Sequence, residues 1–495
     1  MSHCTAQAAC AAIPLPAEQL TALAPLLPLL GQIARLLLDF RSRPVCPKAT
    51  HDLEVALAGL TRALGRAALE NTLNSLEPAE PEQVPAEIRL GGSRYRRRLQ
   101  SPATVDSTLG TLRLRRWLYE PRDSGERCLF PLERLLGLVA GRATPALADR
   151  TGRLVAQGSQ REALAALAEG HDLRWSHETL RRVSREVALI AGGHSQQAQA
   201  GQLIDWLRLA WRGRGPFEPV LAVGRDGVMV PIRSDGYHEA AVATPSVYDR
   251  RGRRLGTVYL GWMPQAGQAE LSRQLTALLV AVLSGWKGRR PRLAYLSDGG
   301  WQPEEYYRGV LRRMADPGRP GQVLRWRRVL DYYHAAGYLT KMAEALFGPG
   351  AAGERWAARM RGWLKQPDGL RRVLQSASYH RNRQGLRGGR QRAFWKAYCY
   401  LWKRRRQMDY ARYRREGLPI GSGVTEAGCK VVVSQRLKRS GMGWGLPGGQ
   451  VVLTLRVAWL SGVWRPVWDA HLAESVNGNL DSYEACLHPQ APLAA

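Results

Sequence analysis

Two aspartates each stand at the end of a short apolar run and directly before a glycine. Val220-Leu221-Ala222-Val223 leads into Gly224-Arg225-Asp226-Gly227, and Leu293-Ala294-Tyr295-Leu296 leads into Ser297-Asp298-Gly299. Carboxylates suit hard divalent cations, which take oxygen ligands, and the end of a strand gives such a ligand a fixed backbone. Taken singly, Asp-Gly is also an ordinary turn. The pair gains meaning if the two runs are adjacent central strands, which would bring Asp226 and Asp298 together. A third acid, Glu426, follows Pro419-Ile420-Gly421-Ser422-Gly423-Val424-Thr425, where Ser422 is placed to cap a helix. It completes an oxygen-donor set only if the chain between Asp298 and Glu426 is an insertion; its other reading is an acid complementing a helix N-terminus. Two divalent ions held by three carboxylates, ~3.5–4 Å apart, activate water or a 3′-hydroxyl and stabilise a leaving 3′-oxygen, so no covalent nucleophile is required. Asp331 ends the following strand and rivals Asp298 as second ligand. Asp298 is favoured because its strand would neighbour that of Asp226.

The elements around these acids have a readable period. From residue 220, apolar runs at 220–232, 239–248 and 254–262 predict a three-strand meander. A helix over 266–283, a strand over 293–296, a helix over 303–314 and a strand over 323–330 follow. The order β-β-β-α-β-α-β-α predicts an α/β fold, a mixed sheet of RNase H type with helices on its faces. Residues 338–415 are helical, basic and rich in aromatics, among them Trp356, Trp363, Phe394, Trp395, Tyr398, Tyr400, Trp402, Tyr410 and Tyr413. Aromatics at helical spacing are more often core than base-stacking platforms. The run Lys403-Arg404-Arg405-Arg406 is harder to place in a core, and reads as a DNA-backbone contact or a solvated helix face. The helix begun at Ser422 is expected to run through Lys438 with Lys430, Gln435, Arg436 and Lys438 exposed. Gly441 to Gly445, with Trp444, ends it; a last helix spans 448–460, and the tail after Ala473 reads as loose.

Upstream, residues 1–75 read as helices. The Pro- and Glu-rich connector 77–82 leads to the basic run Arg94-Tyr95-Arg96-Arg97-Arg98, a solvated strand or loop, or a phosphate contact. Ser159 and Ser176 are placed to cap two helices around Gly170, the second carrying Arg181, Arg182 and Arg185. This is helix-turn-helix spacing with cations on the second helix, and an ordinary helical hairpin has the same pattern. The chain divides into a helical N-terminal region and linker (1–110), a helix-turn-helix-like DNA-binding region (111–200), a catalytic domain (201–345), a helical insertion (346–416), the final helices of the catalytic domain (417–475) and a tail (476–495).

Composition narrows the partners. The chain has 495 residues, 72 Lys and Arg against 42 Asp and Glu, and a net charge of +30, which favours nucleic acid as partner. Cysteines at 4, 10, 46, 128, 399, 429 and 486 form no C-x-x-C pair, arguing for reduced thiols in a cytoplasm and against disulfides or a zinc knuckle. The apolar stretch 20–40 contains Pro25, Pro28, Gly31 and Arg35. It is expected to be a soluble helical region rather than a membrane span.

Several motifs in one order carry a resemblance to a known family. The segment 421–430, Gly-Ser-Gly-Val-Thr-Glu-Ala-Gly-Cys-Lys, with Gln435-Arg436-Leu437 and Ser440-Gly441-Met442-Gly443-Trp444, resembles the terminal motif of Kra-type bacterial insertion-sequence transposases. The runs Asp226 to Pro231, Glu239 to Val242, Tyr259-Leu260-Gly261, Ser297-Asp298-Gly299 and Asp331-Tyr332-Tyr333-His334-Ala335 are similar to that family in the same order. The resemblance spans about 110–470. It implies an RNase-H-like DDE domain with Asp226, Asp298 and Glu426 as first, second and third acids. It also implies Mg²⁺ (or Mn²⁺) and cleavage and strand transfer on double-stranded DNA at terminal inverted repeats. Lys430, Arg436 and Trp444 become candidate DNA contacts. His334 matches a histidine of related Mutator-like enzymes, where it would orient DNA or a ligand; as residues alone, a core or capping histidine is the commoner case. Relatives often carry a cysteine pair where this chain has only Cys128, so no zinc module is expected. Pairing of element ends implies a homodimer by analogy, in a bacterial cytoplasm at the nucleoid. Two other readings share much of this evidence: a DNA-binding protein without catalysis, and an RNase-H-like nuclease that cuts without joining.

Overall fold

The computed structural model describes residues 16–122, 126–474, 480 and 483. The chain forms two compact units: Met1–Thr151 with Leu164–Val183 and Glu474–Ala495, and Gly152–Ala163 with Ser184–Ala473. The expected block 111–200 is not a unit of its own, since 152–163 and 184–200 belong to the second.

The first unit opens with helices α1 (Ala17–Leu23), α2 (Leu27–Arg41) and α3 (Pro47–Leu76), as the Ala/Leu periodicity requires. The helical stretch Ala17–Arg41 is long and apolar enough to cross a membrane, and leaves Leu20, Leu27 and Leu38 exposed. Residues expected to be linker then form an antiparallel sheet, β1 (Glu87–Leu90), β2 (Ser93–Ser107) and β3 (Gly110–Pro121). Its charges obscure a two-residue alternation. Tyr95 is buried between exposed Arg94 and Arg96, and Leu112 and Leu114 alternate with exposed Arg113 and Arg115. The buried face packs Val105, Leu112 and Leu114 with Leu69 and Leu73 of α3. The tail expected to be loose lies outside the described residues apart from Leu480 and Tyr483. Both are buried with Val84, Ile88 and Trp117, and Tyr483 Oη donates to Glu77 Oε1 at 2.6 Å. That bond satisfies a carboxylate whose burial raises its pKa.

Short α4 (Pro131–Leu135) precedes α5 (Pro145–Gln157), α6 (Gln160–His171) and α7 (His177–Arg212). Both expected caps are made. Ser159 N and Oγ exchange hydrogen bonds with Glu162, and Thr179 N donates to Ser176 Oγ at 3.1 Å. Arg181, Arg182 and Arg185 are exposed, but on a helix of 36 residues rather than a short second helix.

In the second unit, β4 (Val220–Ile232) and β5 (Gly236–Tyr248) form a hairpin, followed by β6 (Arg254–Thr257) and β7 (Leu260–Trp262), both antiparallel to β5. Helix α8 (Ala269–Gly285), β8 (Arg292–Ser297), α9 (Trp301–Gly309), β9 (Trp326–Leu330) and α10 (Tyr332–Phe347) complete an α/β layer. The strand order is β6-β5-β4-β8-β9, with β4, β8 and β9 parallel and β5 antiparallel. Strand alternation divides the core. Leu221, Val223 and Tyr295 face Leu203 and Leu207 of α7 and Leu275 and Leu279 of α8. Val220, Ala222 and Leu296 face the other side, with Leu339 and Met342 of α10.

Helices α11 (Ala351–Leu364), α12 (Gly369–Gln384), α13 (Gly388–Lys403) and α14 (Tyr410–Arg415) form the expected helical block. Its aromatics are mainly core: Trp356, Phe394, Tyr410 and Tyr413 are buried with the α10 side chains, while Trp395 and Trp402 stay exposed. The chain returns as α15 (Gly423–Gly428), a π-helical turn Cys429–Ser434 and α16 (Gln435–Leu437), then α17 (Leu446–Leu460) and α18 (Trp464–Ala473). The π turn replaces an expected regular helix because Val431 O is drawn aside to accept from Arg456 Nε at 2.7 Å. Among the described residues Cys46, Cys128, Cys399 and Cys429 are free thiols; Cys4, Cys10 and Cys486 lie outside them.

Candidate active site

Parallel pairing of β4 with β8 runs from Val220 opposite Arg292 to Gly224 opposite Leu296. Asp226 and Asp298 each stand two residues past that last pair, so equal register carries them to one level at the strands' carboxyl ends. Both are half-buried. Each carboxylate is steadied by a nearby amide: Gly227 N donates to Asp226 Oδ1 at 2.8 Å, and Gly300 N donates to Asp298 Oδ1 at 2.7 Å. Gly299 has φ +79°, so glycine is the residue that lets the chain turn there.

Glu426 reaches these acids because three contacts seat its helix on the sheet. Thr425 Oγ1 and Thr244 Oγ1 of β5 are 2.7 Å apart and share a hydrogen bond. Gly224 provides the space beneath, since a Cβ there would overlap Thr425 Oγ1. The third contact is Asp331. It is fully buried, and its two carboxylate oxygens accept the backbone N–H groups of His334 and Ser422. Tyr332 N donates to Ile420 O at 2.9 Å beside it. Asp331 is therefore occupied in capping α10 and tethering the turn before Glu426, which removes it as a rival second ligand. Ser422, the expected cap, instead donates from Oγ to Glu426 Oε1 at 3.1 Å.

The acids feel one another. The Asp226 carboxyl is pushed up to about 6, by burial first and then by Asp298, Glu239 and Glu426, against the lowering bond from Gly227 N–H. Glu239 is the acid that the sequence reading left out of the site, although its strand was singled out. It stands on β5 against Gly227 and accepts from Gln268 Nε2 at 3.1 Å. Cys429, one turn past Glu426, has its thiol pushed up by burial and by the neighbouring Asp226 charge. Among the described residues no Lys or Arg is ion-paired with Asp226, Asp298 or Glu426. A crowded, oxygen-only set lacking an internal counter-charge fits a divalent cation.

The helical block reaches the same loop. Tyr400 Oη donates to Asp298 O, and Arg404 Nη2 donates to Gly299 O at 2.7 Å with its guanidinium 4.0 Å from the Tyr400 ring centre. The His334 ring lies 5.8 Å from that of Tyr400 and is exposed, so it is neither a core nor a capping side chain. Lys403 and Arg405 are exposed, Arg405 lying over Trp402 at 4.4 Å. Lys430 is exposed one turn after Glu426.

Two expected DNA contacts prove structural. Arg436 is 1 % exposed. Its Nε donates to Val155 O at 3.3 Å, and burial lowers its guanidinium pKa to about 10. Trp444 lies beside it with Nε1 donating to Leu437 O at 2.9 Å, and its backbone pairs with Pro231 and Arg233 next to β4. Comparison with protein-family models and with curated protein sequences gives no match.

Proposed function

We propose that this chain is a DDE-type DNA transposase of the Kra-type insertion-sequence kind, with an RNase-H-like catalytic core in its second unit. The observation that carries the reading is the register of β4 and β8, which sets Asp226 and Asp298 side by side, with Glu426 close enough to raise the pKa of Asp226. The strand order, with the second strand of the meander antiparallel and three parallel strands beside it, supports the same core. The net charge of +30 supports a polyanionic substrate.

In this reading Asp226, Asp298 and Glu426 hold Mg²⁺ or Mn²⁺, and Glu239 adds negative charge behind Asp226. When bound, the metal ions supply activation of water or a 3′-hydroxyl and charge stabilisation at the leaving 3′-oxygen. The chain's own contribution is placement. Asp331 and Thr244 fix the approach of Glu426, while Tyr400 and Arg404 hold the Asp298–Gly299 loop by its carbonyls. Arg404, half-buried beside the acids, is the nearest cation for a phosphate entering them.

The test uses supercoiled plasmid in Mg²⁺ and, separately, joining of a pre-cut end. Asp226→Asn, Asp298→Asn and Glu426→Gln are each expected to abolish cleavage, a loss of roughly 10³-fold or more, with the variants still folded and DNA-bound. Full cleavage by any one of them removes that residue from the site. Cutting by the wild-type chain without joining would make it a nuclease instead.

A further inference from the structure

Tyr338 of α10 and Tyr400 of α13 stack face to face, ring centres 3.7 Å apart and planes 7° from parallel. The Lys341 ammonium lies 4.8 Å from the Tyr338 ring centre, and the Arg404 guanidinium 4.0 Å from that of Tyr400. With the inner ring faces against each other, the cations cover the outer ones. The result is a single column: cation, ring, ring, cation.

The Arg404 end is fastened to the Asp298–Gly299 loop. The other end borders a cavity of about 410 Å³ between α10 and α13, lined among others by Lys341, Lys396, Arg390 and Glu344. Arg390 is committed to the Ala345 and Leu346 carbonyls at 2.9 and 2.6 Å. Lys341 and Lys396 are exposed.

The chemistry of the column selects its partner. Every ring face is taken, so it offers no platform to an unpaired base. Holding two helices together would need the rings but not exposed ammonium groups beside them. What remains is positive charge at fixed intervals leading away from the acids. Charges on each strand of duplex DNA recur about every 3.4 Å along the axis. Contacts of 4.8, 3.7 and 4.0 Å in series therefore spread the cations over more than one phosphate.

We propose that the groove between α10 and α13 is a rail for the sugar–phosphate backbone of the DNA strand that enters the acid site. Lys341 and Lys396 neutralise phosphates beyond the one nearest Arg404. The direction of the strand rests on the transposase reading above; the phosphate contact does not.

The experiment measures binding of the full-length chain to a short duplex of arbitrary sequence over a salt series without divalent metal. The Lys341→Gln/Lys396→Gln double variant is expected to bind roughly tenfold more weakly, with a log–log salt slope shallower by about 2, near 0.9 per lost contact. Its melting temperature should match wild type, because both side chains are exposed. Glu344→Gln, which removes the acid from the same cavity, should tighten binding. A folded double variant with the wild-type slope overturns the rail, as does a Glu344→Gln variant that binds no tighter. Failure of the catalytic reading looks different: wild type would leave DNA uncut in Mg²⁺ while the slope change persisted. An unchanged slope with active cutting would remove only the rail.

Discussion

Asp226 bears the cost of gathering acids in one place. Its pKa lies at about 6 instead of 3.8, so the folded chain holds that proton more tightly than the unfolded chain. Below 3.8 the carboxyl is protonated in both states and costs nothing. Stability falls as pH rises through the window from 3.8 to about 6, and the full penalty remains above it. Asp226→Asn should therefore melt higher than wild type at neutral pH in chelator, and the advantage should disappear below pH 3.8. Scanning calorimetry across that range checks it. An Asn variant less stable than wild type at neutral pH would mean that burial and repulsion do not govern this side chain. Residues also show where the sequence misled. Arg436 was expected outside because a guanidinium is normally solvated, yet Cys429, Val432, Val433, Arg436 and Leu437 are all buried and fall at i, i+3, i+4, i+7 and i+8. The apolar stripe was legible and the charge was allowed to outvote it.

At the scale of elements, the second unit was readable because its period changes from two to 3.6 residues at each boundary, and the strands that carry Asp226 and Asp298 are continuous apolar runs. The sheet of the first unit was not, since arginines on its exposed face fill every second position of β2 and β3 and imitate a basic loop. The role of Asp331 was equally hidden, because its partner Ser422 N is a backbone group far along the chain that no pattern announces. Glycines in the site, by contrast, carry a testable meaning. Gly224 lies under Thr425, and a methyl group there would meet the Oγ1 atoms of both Thr425 and Thr244. Gly224→Ala should push α15 off the sheet and reduce cleavage by about 100-fold, the size of effect expected when a catalytic group shifts by an ångström. DNA binding should hold. Adding Thr425→Ala removes the colliding oxygen and should restore part of the activity, which a general loss of folding would not allow. A fully active Gly224→Ala would show that the seat of Glu426 is not set by this contact.

For the whole molecule, charge and site make opposite demands on DNA. A net charge of +30 draws in phosphates, while the unpaired carboxylates around Asp226 repel the phosphodiester that must come closest. Without divalent metal, binding should thus be governed by counterion release, losing on the order of 10³-fold between about 50 and 200 mM salt if six or more phosphates are contacted. Under the same conditions Asp226→Asn, Asp298→Asn and Glu426→Gln should each bind duplex DNA more tightly than wild type, because each removes negative charge from the point of contact. Adding Mg²⁺ should reverse the order, strengthening wild type and leaving the variants nearly unchanged. Anisotropy titrations with and without Mg²⁺ measure both halves. Were the variants to bind more weakly in chelator, the acids would have to lie away from the DNA path, and the phosphates would be held somewhere other than beside Asp226 and Asp298.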